Sequence, residues 1–574
     1  VLAALAVAPL LRPQARAGIP AALRPGAAQG FNVLLITLDT TRADHLGCYG
    51  YADVETPAID GLARAGILFG DAVCTSPITL PSHATMLTGL DPPNHGARVN
   101  GQSVVGPEQE TLAEILGAAG YETAAFISAF VLESRFGLDQ GFDLYDDDIG
   151  TAQSAGTGAE NLNQRIAGDV TRSTLSWLER RDRGRPFFAW VHYFDPHNPY
   201  MPPQPFLSRY RDRPYDGEIA YMDSEIARLL AAVDRLGYRE RTLILAVGDH
   251  GEGLGEHGES THERLIYDSV MRVPLILACP GLFRGPYRVD DVVVATTDVF
   301  PTVLELLGLQ GTRPIDGISL LACREQGQRA VYMESMAPYL TNGWAPLFGL
   351  RRHTDKYILA PRPEYYDLRR DPRELNDLYA TAPGAAAAAR DELVADLRAR
   401  LDRWPSPEGV RAATAEVDYE TRQRLESLGY ISTATSFGDP TALPDPKDMM
   451  PVLEGIDRAN ALMRAGRLDQ ALTAIRRAGA ISPRDPHVLL TMGKILLFQE
   501  KDAEAEETLR RSIEIHPLAD ACLLAAQLMI KQARHDDAEA LLEQGRQLEP
   551  LHGGLWIARG DLAGLRGDHA AALA

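Results

Sequence analysis

The residue order predicts an α/β chain, a mostly parallel sheet sandwiched by helices with a small β-rich lobe, followed by an all-α solenoid. Three observations carry this. Apolar runs at 32–38, 187–194 and 242–248 each end in a carboxylate: Asp39, Asp195 and Asp249. Unbroken apolar runs of this length suit strands buried on both faces of a parallel sheet. Helical stretches at 109–119 and 217–236 fall between them, and strands alternating with helices build a layered sheet. Beyond residue 450, prolines recur at Pro483, Pro517 and Pro550, spaced by 34 and 33 residues.

In chain order, residues 1–30 read as an exported leader or anchor remnant plus linker. The apolar opening suits a signal h-region, and Ala15-Arg16-Ala17 offers a small-residue cleavage site. The expected location is therefore exported: periplasmic, or anchored with membrane association at the N-terminus. Residues 31–325 form the expected catalytic α/β domain. Residues 326–432 form a smaller subdomain, with strands near 332–334 and 356–359 and a helix at 384–402. A Pro-rich linker covers 433–450.

Residues 451–574 are the solenoid. Ala471, Ala505 and Ala538 lie 12 positions before the three prolines, and Ala572 restarts the pattern. Close helix crossing at each Ala and a stop at each Pro explain the period, which resembles tetratricopeptide repeats. Such an array implies a protein or peptide partner in its groove.

Composition narrows the function. With 574 residues there is chain for about three to four units at roughly 150 each. The net charge of −21 argues against a nucleic-acid partner. It leaves room for a local positive pocket. Five scattered cysteines make neither a disulfide framework nor a zinc finger.

In open α/β sheets ligands bind beyond the C-terminal strand ends. Asp39, Asp195 and Asp249 all fall there. Asp249-His250 followed by glycines gives two metal-type ligands on a loop that bends. In Thr79-Leu-Pro-Ser-His83, a hydroxyl sits just before a helix start, where free N–H groups attract anions. Read alone, Thr79 is a capping residue or a nucleophile awaiting activation. His192 reads as core and Cys74 as a small buried residue. His257 is either a ligand or a packing residue.

Together these segments resemble the sulfatase family of the alkaline phosphatase superfamily. The resemblance runs from Asp39 through Thr79–Gly89, His95-Gly-Ala-Arg98-Val-Asn100, Asp195-Pro-His197-Asn-Pro-Tyr200 and Asp249-His-Gly-Glu252 to Tyr366-Asp367-Leu368, from about residue 31 to 430. It implies an enzyme cleaving an anionic ester with a divalent metal. Asp39, Thr79, Asp249 and His250 match metal positions, and Thr79 matches the nucleophile. His83, Arg98 and His197 would offset charge on the transferring group. His262 would protonate the leaving oxygen or complete a second metal site with Asp195.

The departures matter. Thr79 stands where sulfatases place Cys or Ser, so no formylglycine is expected. His83 stands for Arg, and His250 often for Asn. This set is similar to phosphoryl-transferring relatives, which use an unmodified Thr and zinc. Two carboxylates with an imidazole favour zinc or manganese; the family resemblance also allows calcium. Phosphate esters are therefore expected over sulfate esters. The alternatives are a sulfuric ester hydrolase proper, or a catalytically weak scaffold working through its repeats. Substrate choice is expected from Tyr339, Asn342 and Trp344 and from the loop at 145–165.

Overall fold

The computed structural model describes residues 16–149, 165–325, 327, 329–404, 442–550 and 552–568. The apolar opening, residues 150–164 of the expected specificity loop, residues 433–441 of the expected linker and Ala572 lie outside the described residues.

The larger sheet is built on six strands: β1 (Asn32–Leu38), β2 (Ile67–Val73), β3 (Glu122–Phe126), β4 (Phe187–Tyr193), β5 (Thr242–Gly248) and β6 (Arg272–Ala278). Their spatial order is β2-β6-β5-β1-β4-β3, with short strands at 16–17, 144–146, 287–289 and 294–295 completing ten. Strand β6 runs antiparallel to both neighbours. The other pairings are parallel. Arg16–Ala17, within the expected leader-and-linker segment, pairs with Tyr287 and Arg288 at the sheet edge.

All residues of β1, β4 and β5 are buried. Alternation divides β1 between two cores: Val33 and Leu35 face one, Leu34, Ile36 and Leu38 the other. Helix α1 (Thr79–Thr88) contributes Leu80, Ala84 and Leu87 to the first. Helices α2 (Ala167–Arg180) and α3 (Pro214–Arg235) cover the second with Val170, Trp177, Ile219 and Ile226. In register, Leu38 lies opposite both Tyr193 and Gly248. Asp39 and Asp249 therefore leave the sheet side by side.

The smaller lobe is an antiparallel meander, β7 (Val331–Ser335), β8 (Leu347–Arg351), β9 (Asp355–Leu359) and β10 (Glu364–Asp367). Helix α4 (Gly384–Leu401) buries Leu393 and Leu397 against Tyr332, Leu350 and Tyr357. Buried charges join the lobe to the main sheet. Arg351 meets Asp71 at 2.7 Å and Asp268 at 2.8 Å. Lys356 meets Asp268 at 3.0 Å and Glu374 at 2.7 Å.

Among the described residues seven helices follow: α5 (Pro446–Arg464), α6 (Leu468–Ile481), α7 (Pro486–Phe498), α8 (Asp502–Ile515), α9 (Ala519–Lys531), α10 (His535–Leu548) and α11 (Gly553–Leu565). Ala471, Ala505 and Ala538 are fully buried on α6, α8 and α10. Helix α5 starts inside the expected linker. Asp445 accepts the Lys447 N–H at 3.3 Å, and Pro446 takes the first helical position, where its missing N–H does no harm. Lys447 pairs with Glu364, and Met450 packs beside Gly258. Tyr339, Asn342 and Trp344 are buried, not a rim. The chain entering the array covers this segment, and the Ala345 N–H donates to the Pro444 carbonyl.

Candidate active site

The parallel register places the first carboxylates. Asp39 follows β1 and Asp249 follows β5, and both are fully buried. One oxygen of Asp249, Oδ1, accepts the N–H groups of Thr40 at 3.1 Å and His250 at 2.7 Å. Thr40 holds the left-handed conformation, φ 46°, to make this bond. That conformation costs a β-branched residue energy and concentrates at functional sites. The other oxygen, Asp249 Oδ2, has no partner, and neither has Asp39 Oδ1. These two bare oxygens lie 3.5 and 4.0 Å from His250 Nε2.

His250 is prepared as a ligand. Its Nδ1–H donates to the Gly251 carbonyl at 3.0 Å, which leaves the Nε2 lone pair facing the carboxylates. Ligand atoms of Asp39, Asp249 and His250 all lie within 4.8 Å of one another. This donor set suits a divalent cation.

Thr79 is the first residue of α1, and its Oγ sits 3.3 Å from His250 Nε2. The N–H of Leu80 points to Asn100 Oδ1 at 2.9 Å, while Asn100 Nδ2 is buried without a partner. That amide is a donor with nothing to donate to. One turn along, His83 Nδ1–H donates to the Thr79 carbonyl at 2.8 Å, and His83 Nε2 has no partner.

Two further imidazoles close the site. His262 meets Glu252 Oε1 through Nδ1 at 3.3 Å, and its ring lies 4.4 Å from that of His250. His197 stacks on Phe194 at 4.1 Å, and its ring lies 5.3 Å from that of His262. Its Nδ1–H donates to the Asn198 carbonyl at 2.7 Å. The Nε2 atoms of both rings have no partner. Asp39 Oδ1, Asp249 Oδ2 and the Nε2 atoms of His83, His197 and His262 make five bare atoms in one buried site, more than chance burial leaves.

Burial, with the Asp249 and Glu252 charges, raises the Asp39 carboxyl well above its usual range. Burial likewise pushes Asp249 up to about 8. Burial lowers His83 and His197 to about 3 and His250 well below its usual value. Among these four imidazoles only His262 moves up: burial opposes the shift, and the Glu252, Glu263 and Glu259 carboxylates outweigh it. Crowded carboxylates beside neutral imidazoles are what a bound dication relieves.

Comparison with known proteins places this geometry. The sulfatase family model matches residues 31–309, and the model for the C-terminal part of N-sulphoglucosamine sulphohydrolase matches 255–404. The catalytic unit belongs to the sulfatase family. It is an ester hydrolase of the alkaline phosphatase superfamily. A tetratricopeptide repeat model matches 462–520, so the array is a repeat domain of that kind. An arylsulfatase of Clostridium perfringens is 24% identical over 60% of this chain and 90% of its own. The multifunctional alkaline phosphatase superfamily protein PehA of Trinickia caryophylli is 26% identical over 63% and 93%. Among solved structures, a phosphonate monoester hydrolase of Agrobacterium radiobacter superposes with TM-score 0.53 at 23% identity, covering 64% of this chain and 96% of its own. A 2-O GAG sulfatase superposes with TM-score 0.53 at 22% identity, covering 65% and 91%.

Within the sulfatase domain, Asp39, Thr79, Asp249 and His250 come together. His83, His197 and His262 ring them. Arg98 does not join as a free cation. Its guanidinium forms a buried two-pronged pair with Glu334, at 2.8 Å through Nε, and Tyr332 donates to the same carboxylate at 2.7 Å. Its charge is already neutralised. Asp195 is engaged at the start of α2, where its Oδ2 accepts the Ala167 N–H at 2.8 Å. His257 packs, stacked on Tyr267 at 3.7 Å.

The largest correction is His192. Read as core, it meets Asp39 Oδ2 through Nε2 at 3.2 Å. Its period-2 alternation with Tyr193 is that of any buried strand, so the partner carboxylate was invisible in sequence. Glu252, Asn100 and the Arg98 partner Glu334 were also missed. Glu252 could have been found as the acidic residue three positions past Asp249.

Proposed function

We propose that this domain is a metal-dependent phosphate-ester hydrolase that works through an unmodified Thr79. The observation that carries it is the pair of bare oxygens, Asp39 Oδ1 and Asp249 Oδ2, facing His250 Nε2 with the Thr79 hydroxyl beside them. Asp39, Asp249 and His250 would hold zinc or manganese. The cation, when bound, lowers the pKa of a neighbouring hydroxyl and offsets negative charge.

The residues do the rest. The Asn100 amide, whose Nδ2 has no partner, binds the anionic head. Thr79 passes its proton to solvent, forms the Oγ–P bond and expels the ester oxygen. His262, held through Nδ1 by Glu252, gives that oxygen a proton from Nε2. Water then cleaves the Oγ–P bond and restores Thr79. His83 and His197 line the pocket as neutral imidazoles. A threonine ester of phosphate can be released by water, whereas a sulfate ester on Thr lacks the hemiacetal route that formylglycine opens. This favours phosphoryl over sulfuryl chemistry. The repeat array is assigned to a protein or peptide partner and the whole chain to export. The apolar opening supports export.

The test is acid quenching of the metal-loaded full chain during turnover of an aryl phosphodiester, followed by peptide mass spectrometry. A phosphoryl group on the Thr79 peptide is expected. An aldehyde at position 79, or an adduct elsewhere, contradicts the reading.

A further inference from the structure

We propose that His192 is a positioning residue that decides which oxygen of Asp39 faces the cation. The proposal rests on the metal reading above. His192 sits on β4, fully buried. The Ser128 N–H donates to His192 Nδ1 at 3.2 Å. A backbone N–H cannot change its role, so Nδ1 is an acceptor and the neutral ring carries its proton on Nε2. That N–H donates to Asp39 Oδ2 at 3.2 Å. Asp39 Oδ1, left without a partner, is the oxygen 4.0 Å from His250 Nε2. The two oxygens thus have separate tasks, one anchored and one free.

A rival reading makes His192 a ligand, because ligand atoms of His83, His192 and Asp249 also lie within 4.8 Å of one another. The hydrogen bonds argue otherwise. Both ring nitrogens of His192 are engaged. An imidazole that donates to a ligating carboxylate fixes its orientation and raises its basicity, and loss of such a partner costs about 10–100-fold in metal affinity.

The full chain with His192→Phe and with His192→Gln tests this. Zinc is titrated against a competing chromophoric chelator, and kcat is measured at saturating zinc. His192→Phe is expected to weaken zinc binding about 10–100-fold and to change kcat at saturating metal far less. His192→Gln, whose amide N–H takes the place of Nε2–H, is expected to restore most of the affinity. Wild-type zinc affinity in His192→Phe, or no recovery in His192→Gln, overturns the proposal. Asp39→Ala is the control: if it also binds zinc like the wild type, the metal reading itself fails. Should His192→Phe lack a cooperative melt, His192→Met replaces it under the same criteria.

Discussion

In the proposed mechanism Thr79 and His262 carry the chemistry, and each makes a separate demand. Thr79→Ala removes the nucleophile while leaving the carboxylates in place. Its steady-state rate on a phosphodiester is expected to fall at least about 10³-fold, with zinc stoichiometry unchanged by elemental analysis. His262→Gln is expected to cost about 10²–10⁴-fold on an alkyl ester. An aryl ester with a good leaving group needs less protonation, so a smaller loss there identifies the proton donor. Strand ends and a helix start made the convergence of Asp39, Thr79, Asp249 and His250 legible in sequence, while their metal and nucleophile assignments came only with the resemblance to the sulfatase family. His192 and Glu334 were not, because their roles depend on side chains arriving from other strands. Arg98 was misread for the same reason: a motif shows a charge, and only the fold shows what neutralises it.

The elements owe their positions to burial and to a few buried charges. Parallel strands and helices were legible from apolar runs and their carboxylate ends, while the single reversed strand β6 carries no local mark of its direction. The seam between sheet and lobe depends on Asp268. Burial alone would raise its carboxyl, but Arg351 and Lys356 more than reverse this and hold it well below the usual carboxylate range. A depressed folded value means the stabilisation is complete above the unfolded value, about 3.9. It is lost as pH falls through the folded one. Asp268→Asn is expected to cost about 3–5 kcal/mol at neutral pH by leaving two buried cations underpaired. In denaturant titrations the gap to the wild type should narrow below about pH 4. In the array, the Ala positions sit where helices cross, and Gly493 lies so close to Leu509 that an added Cβ would stand 2.6 Å from it. Ala505→Leu is expected to destabilise the array by about 1–3 kcal/mol. A calorimetric scan showing an unchanged transition would place Ala505 at the surface instead.

At the scale of the molecule, a catalytic sulfatase-family unit and a helical repeat array share one seam. Arg362 reaches Asp448, Lys447 reaches Glu364, and Met450 is buried beside the loop that carries His262. The two-part plan was legible from the change of periodicity near residue 450. The seam was not, because the first helix begins among prolines that read as linker. The net charge of −21 is compatible with an anionic substrate, since the proposed cation at Asp39, Asp249 and His250 would reverse the sign locally. The most direct measurement is hydrolysis by the full chain of an aryl phosphodiester and an aryl sulfate with the same leaving group, before and after chelation and zinc or manganese return. Phosphodiester turnover that chelation abolishes and metal restores, with the sulfate left intact, is the expected result. Metal-dependent cleavage of the sulfate with the phosphodiester untouched would contradict it.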